Sequence, residues 1–218
     1  MIEAERIFES REALAETLAR DVAEELSRAI EAKGKAVLAV SGGSTPKLFF
    51  ETLSGMDLPW SRVSITLVDE RQVPETSERS NARLVKANLL KNKAAAARFI
   101  PLFDNPEAAK APPFDMAILG MGNDGHTASF FPGGDRLPDA LDSGSDKRLI
   151  EISAPGAGEP RLTFTLPVLE QAGRLALHIE GAEKKDVLAK ALGEGPVDDM
   201  PVRAVLRSPA PMTLYWCP

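Results

Sequence analysis

Three stretches of the sequence gather residues that could do chemistry. The first is "ILGMGNDGHTASFFPGG", residues 118–134, which carries five glycines and one of only two histidines in the chain. Gly120, Gly122 and Gly125 spell G-x-G-x-x-G behind an apolar run. That pattern suits a dinucleotide turn, or a loop that presents Asp124 and His126 at a strand end. A dinucleotide turn needs a helix straight after its third glycine, so that the pyrophosphate rests on the helix N-terminus. Here "HTASFFPGG" follows, and Pro132, Gly133 and Gly134 break any helix. The next strand-like run ends at Ser153 rather than at an acidic residue that could hold a ribose. The glycines read better as backbone that lets a ligand come close. His126 is then placed to act as a general base, and Asp124, two residues earlier, could orient it.

The second stretch is "SGGSTPK", 41–47. Ser41, Gly42, Gly43, Ser44 and Thr45 link an apolar run to a helix start, which leaves backbone N–H groups free to cradle an anion, phosphate being the usual guest. It is no Walker A loop, because G-x-x-x-x-G-K-[ST] is absent. The third is "LVDERQVP", 67–74, where Asp69, Glu70 and Arg71 follow a strand. An arginine there can fork onto a carboxylate or phosphate, and a solvated charge cluster fits as well. Arg161 and Lys184 each lie beside a strand–helix transition and read singly as surface charges. As a pair they could close a phosphate cage with the 41–45 loop. His178, in "RLALHIE", reads as structural or surface. No G-x-S-x-G or H-E-x-x-H occurs, so nucleophile and metal readings are poor.

The elements that must position these groups alternate. Leu14, Leu18, Val22, Leu26 and Ile30 recur every four residues between a capping Ser10 and a terminating Gly34, which predicts a long amphipathic helix. Strands are expected at 36–40, 62–70, in "RFIPLF", and at 114–120, 147–153, 174–180 and 212–217. Helices are expected after Thr45 as cap with Pro46 as first residue, over 80–92 with Ser80 as cap, and in "LPVLEQA" and "AEKKDVLAKAL". The loop 131–146 reads as a surface excursion. Strands alternating with helices predict an α/β chain with a mostly parallel sheet and ligands at the strands' carboxyl ends. The whole of 1–218 reads as one domain. A net charge of −6 argues against a general nucleic-acid binder and leaves room for a small anionic substrate held by local cations. The lone Cys217 allows no internal disulfide and no cysteine-based zinc site. The charged start has no signal-peptide character, and no run is long enough to span a membrane, which predicts a cytoplasmic protein.

Taken in order, "AVSGGSTPKLFFETL", "DERQVP" followed by "SN", "ILGMGNDGHTASFFPG", "PRLTFTLPVL" and "GAEKKDVL" resemble the 6-phosphogluconolactonase family, within the larger group that includes glucosamine-6-phosphate deaminase. The resemblance runs from about Val37 to Leu188. It implies an α/β/α sandwich and hydrolysis of 6-phospho-D-glucono-1,5-lactone in the oxidative pentose phosphate pathway, without metal or cofactor. It also implies that His126 is the base and that Arg71 assists at the substrate. Ser41, Gly42, Gly43, Ser44, Thr45, Asp69, Arg161 and Lys184 would bind the substrate, and Asp124 would support His126. The expected partner is a phosphosugar lactone, and the expected state a monomer or weak homo-oligomer. Two rivals stand beside this reading. The deaminases carry a Glu five residues after the histidine, within "HxAFNEP", where this sequence has Phe131. A sugar-phosphate sensor would need a DNA-binding helix-turn-helix, and the N-terminus offers one amphipathic helix.

Overall fold

The apolar runs that alternate with amphipathic segments become strands and helices in the computed structural model, which describes residues 2–218. In chain order these are β1 (Ile2–Ile7), α1 (Arg11–Lys33), β2 (Ala36–Val40), α2 (Lys47–Ser54), β3 (Val63–Leu67), β4 (Asp69–Arg71), α3 (Asn81–Asn88), β5 (Arg98–Ile100), β6 (Met116–Leu119) and α4 (Leu137–Leu141). There follow β7 (Leu149–Ile152), β8 (Arg161–Phe164), α5 (Leu166–Glu170), β9 (Arg174–Glu180), α6 (Ala182–Leu192), α7 (Val202–Leu206) and β10 (Met212–Cys217). Seven strands form one sheet in the order β1-β10-β9-β6-β2-β3-β5, every neighbouring pair parallel. Helices flank it in a three-layer α/β/α arrangement, with α1 on β2, β6 and β10 and α2 beside it, while α5 packs on α4 and α7, and α7 on α6.

The residues explain the elements. β2 and β6 are buried along their whole length, which is why they read as unbroken apolar runs. α1 buries Leu14, Leu18, Val22 and Leu26 as one stripe. Ser10 Oγ accepts from Ala13 N at 3.2 Å, and Gly34 closes the helix with its N–H on the Ile30 carbonyl.

Several expectations need correction. The run 62–70 is two strands, because the chain leaves the parallel sheet at Val68. Asp69–Arg71 then pairs antiparallel with β8, in a second sheet of order β4-β8-β7. The expected strand at 147–153 lies in that small sheet as β7. α2 begins at Lys47 behind Pro46 without a side-chain cap, so Thr45 caps nothing and stays with the loop. α3 ends at Asn88, short of 92, and the chain turns into a 3-10 segment. The excursion 131–146 contains α4, whose Leu137 and Ala140 are buried. β1 had no signal in the apolar pattern, since it is an edge strand with little burial.

This topology fixes where a ligand can bind. From β2 the chain runs outward to β3 and β5, then returns to place β6 on the other side of β2. The carboxyl ends of β2 and β6 therefore flank the point where the winding reverses, the crevice in which open α/β sheets bind ligands.

Candidate active site

The loops leaving β2, β6 and β9, together with β4 and β8, surround a cavity of about 270 Å³ at that crevice. Ser41, Gly42, Gly43, Ser44, Thr45, Asp69, Arg71, His126, Arg161 and Lys184 all line it. Residues up to 143 positions apart in sequence, Ser41 and Lys184, are thereby brought to one site. Asp124 does not line the cavity and supports His126 from behind.

The loop after β6 folds back on itself rather than starting a helix. Gly122 N donates to the His126 carbonyl at 2.8 Å and Thr127 Oγ1 to the Gly120 carbonyl at 2.7 Å. A Cβ on Gly122 would overlap both the His126 ring and the Asp124 carboxylate, so only glycine fits there. Asp124 Oδ1 lies 2.6 Å from His126 Nδ1 and 3.1 Å from His126 N. Burial would raise the Asp124 carboxyl, but its hydrogen bonds and charge interaction with His126 carry it below the usual carboxylate value. An ionised carboxylate can only accept, so in the neutral ring the proton belongs on Nδ1 and the lone pair on Nε2. The His126 side chain is 30% exposed.

The 41–45 loop is tied to the same edge. Ser41 N donates to the Ile118 carbonyl at 3.0 Å, and Gly120 N to Ser41 Oγ at 3.3 Å. Gly42 lies against the Asn81 side chain so closely that a Cβ would collide with it. Asn81 is in turn an organiser. Its Oδ1 accepts from Arg71 Nη1 at 2.9 Å and its Nδ2 donates to the Asp69 carbonyl at 2.9 Å. Arg71 Nη1 also donates to the Arg79 carbonyl at 2.7 Å, and its buried Nε has no hydrogen-bond partner among the described residues.

The charged triplet 69–71 divides its work. Glu70 turns away from the cavity and accepts from the backbone N–H groups of Arg71, Asn81 and Ala82 and from Ser80 Oγ. It anchors the N-terminus of α3. Burial pushes its carboxyl upward against the pull of those donors. Asp69 is buried, accepts from Ser129 Oγ at 2.6 Å and faces Arg161 at 3.7 Å. Arg161 is not the surface charge that its local sequence suggested. It is 7% exposed and donates to the Ala157 carbonyl at 2.7 Å. Desolvation lowers its pKa, with Arg71 and Arg79 adding to the effect and Asp69 and Glu159 opposing it. Lys184, in the first turn of α6, is also lowered by desolvation, while Glu183 and Asp124 act the other way.

Among the lining residues that sequence reasoning missed are Asn81, His178 and Glu180. The "SN" after "DERQVP" was the only sign of the first. His178 is buried rather than on the surface, edge-on to Phe49, with Nε2 at 3.2 Å from Glu180 Oε1. Its strand face, shared with Ala176 and Glu180, looked polar although the helix layer covers it. Among the described residues, no three His, Cys, Asp or Glu side chains gather as metal ligands.

The comparisons with known proteins bear on this geometry. Residues 9–216 match the family model described as glucosamine-6-phosphate isomerases/6-phosphogluconolactonase. The chain belongs to that family. A 6-phosphogluconolactonase of Rhizobium meliloti is 55% identical, the match covering 97% of each chain. One of Mesorhizobium japonicum is 49% identical over 97% of this chain and 94% of the relative. The crystal structure of a 6-phosphogluconolactonase from Shewanella baltica superposes with a TM-score of 0.95 at 37% identity, covering both chains completely. Within the isomerase/lactonase family, each of these relatives bears the lactonase name, and membership makes the chain an enzyme. No helix among the described residues is long and apolar enough to cross a membrane.

Proposed function

We propose that the chain hydrolyses 6-phospho-D-glucono-1,5-lactone to 6-phospho-D-gluconate, the lactone-opening step of the oxidative pentose phosphate pathway, with His126 as general base. The observation that carries this reading is the Asp124–His126 pair. A 2.6 Å contact favours the neutral ring with its proton on Nδ1, which supports Nε2 as the lone pair at the wall of a cavity lined with cations and backbone amides.

The mechanism follows from the groups. A lactone carbonyl is electrophilic, so water can attack C1 directly once its proton has somewhere to go. His126 Nε2 takes that proton as the C–O bond forms, and Asp124 stabilises the imidazolium that results. Arg71, or N–H groups of the glycine loop, meets the developing oxyanion. The tetrahedral intermediate then collapses with cleavage of the bond from C1 to the ring oxygen. The imidazolium returns its proton to that oxygen, which gives the open hydroxy acid and regenerates the neutral base. The 41–45 loop, Arg161 and Lys184 hold the phosphate, and the phosphate's binding energy positions C1 at the base. Asp69 contributes by keeping Arg161 and Ser129 in place. The enzyme acts in the cytoplasm, as a monomer or weak homo-oligomer, and needs no metal or cofactor.

The isomerase activity of the same family is the alternative. The position that would supply its carboxylate is Phe131, whose ring stacks on His126. The deciding assay measures lactone hydrolysis above the spontaneous rate, with glucosamine 6-phosphate in parallel. Enzymatic lactone opening with no release of ammonia is expected. Ammonia release with no acceleration of lactone opening would reverse the assignment.

A further inference from the structure

Asp124 holds only one edge of the His126 ring. A single contact at Nδ1 restrains the ring at one point only, and small coupled changes in χ1 and χ2 swing Nε2 away from the water it must deprotonate. The side chain is also 30% exposed, so surrounding packing does not stop that motion unaided. One flat surface does lie against it. The Phe131 ring stacks on the imidazole, centroid to centroid 4.1 Å, with the planes 27° apart.

Phe131 is itself held firmly. It is 3% exposed, its N–H donates to the Ser129 carbonyl at 3.1 Å, and its carbonyl accepts from Gly134 N at 3.1 Å. Ser129 is pinned to Asp69. The Arg161 guanidinium lies over the same ring, 5.3 Å from its centroid, and is fixed by Asp69 and the Ala157 carbonyl. The substrate-facing cation and the base therefore share one aromatic spacer.

We propose that Phe131 is a positioning residue for His126. Its ring plane fixes the tilt of the imidazole, as Asp124 fixes its proton, and the two together aim Nε2 into the cavity. This rests on the reading of His126 as the base. A branched aliphatic side chain of similar bulk would fill the space and present no plane. Small misplacement of a reacting group is costly in rate, whereas Arg161, which also faces the ring, keeps its own anchors on Asp69 and the Ala157 carbonyl when the ring is lost.

The test compares Phe131→Leu and Phe131→Tyr with wild type in kcat, KM and thermal stability. Phe131→Leu is expected to lose about tenfold in kcat, with KM changed less than about twofold. Phe131→Tyr, which keeps the ring, is expected to retain most of the rate. A role in packing alone would lower the melting temperature of Phe131→Leu and leave kcat at the wild-type level, and that result overturns the proposal. Wild-type protein gives a second readout in case the leucine variant does not fold. With two histidines in the chain, proton NMR resolves both imidazoles, and His126→Asn identifies one. Ring protons of His126 shifted upfield, with cross-relaxation to Phe131, support the stack. Free-histidine positions overturn it. Folded His126→Asn protein with normal activity would instead remove the base assignment, an outcome separate from a fully active Phe131→Leu.

Discussion

His126 and Asp124 form one of the two shortest polar contacts around the cavity, the other being Ser129 on Asp69, and their proposed roles separate cleanly. In the proposed reaction the histidine exchanges the proton, while the carboxylate decides which nitrogen is free. Asp124→Asn should therefore lower kcat by about 10²–10⁴-fold, as for loss of a general base, with little change in KM. A variant of normal kcat would show that the ring needs no carboxylate partner. Lys184 is proposed to act on binding. Lys184→Ala should lose a charge-assisted contact of roughly 1.5–3 kcal/mol, read as a ten- to hundredfold fall in kcat/KM carried by KM. Desolvation lowers the Lys184 ammonium. A cation with a lowered pKa is neutralised earlier as pH rises, so binding of 6-phosphogluconate should weaken at an alkaline pH where a free lysine is still charged. Lys184→Ala should lack that step, and titration calorimetry across pH checks it. The sequence showed these residue types because glycine-flanked His126 and the charges after a strand are local features. It did not show that Glu70 turns away, that Arg161 is buried or that Asn81 joins three of these groups. Those facts depend on contacts between segments distant in the chain.

At the scale of elements, the site depends on how β4 leaves the parallel sheet. The step at Val68 moves Asp69 and Arg71 over the strand ends, while Glu70 anchors α3 and thereby Asn81. Glu70→Ala removes the acceptor of three backbone N–H groups. It should cost at least roughly 1.5–3 kcal/mol in denaturant unfolding, and kcat/KM should fall with it because Arg71 loses its support through Asn81. Unchanged kcat/KM in folded Glu70→Ala protein would separate α3 from the site. Ser10→Ala makes the contrast, since it should cost about 1 kcal/mol through the lost cap and leave the reaction alone. The long helix and the buried strands were legible because their apolar residues repeat at helical spacing or run without interruption. β1 was not, because an exposed edge strand carries no buried face to mark it. The break at Val68 was hidden as well, since the strand-like pattern of 63–68 runs straight into the charges of 69–71 with no turn residue between, and only pairing with β8 shows that the stretch serves two sheets.

For the molecule as a whole, the winding reversal between β2 and β6 sets the site, and the net charge of −6 does not oppose an anionic substrate. Arg71, Arg161, Lys184 and the loop amides supply the local positive field there. Everything in the proposed reaction converges on one lone pair, that of His126 Nε2. The most direct test is the pH–rate profile of lactone hydrolysis by wild type and His126→Asn, each shown to be folded and to bind 6-phosphogluconate. The expected result is a loss of about 10²–10⁴-fold in kcat for His126→Asn. A base must be neutral to accept a proton, so the wild-type rate should fall as acid protonates the imidazole, and the variant should lack that limb. Near-normal hydrolysis by folded His126→Asn protein, with the acid limb intact, would contradict the account.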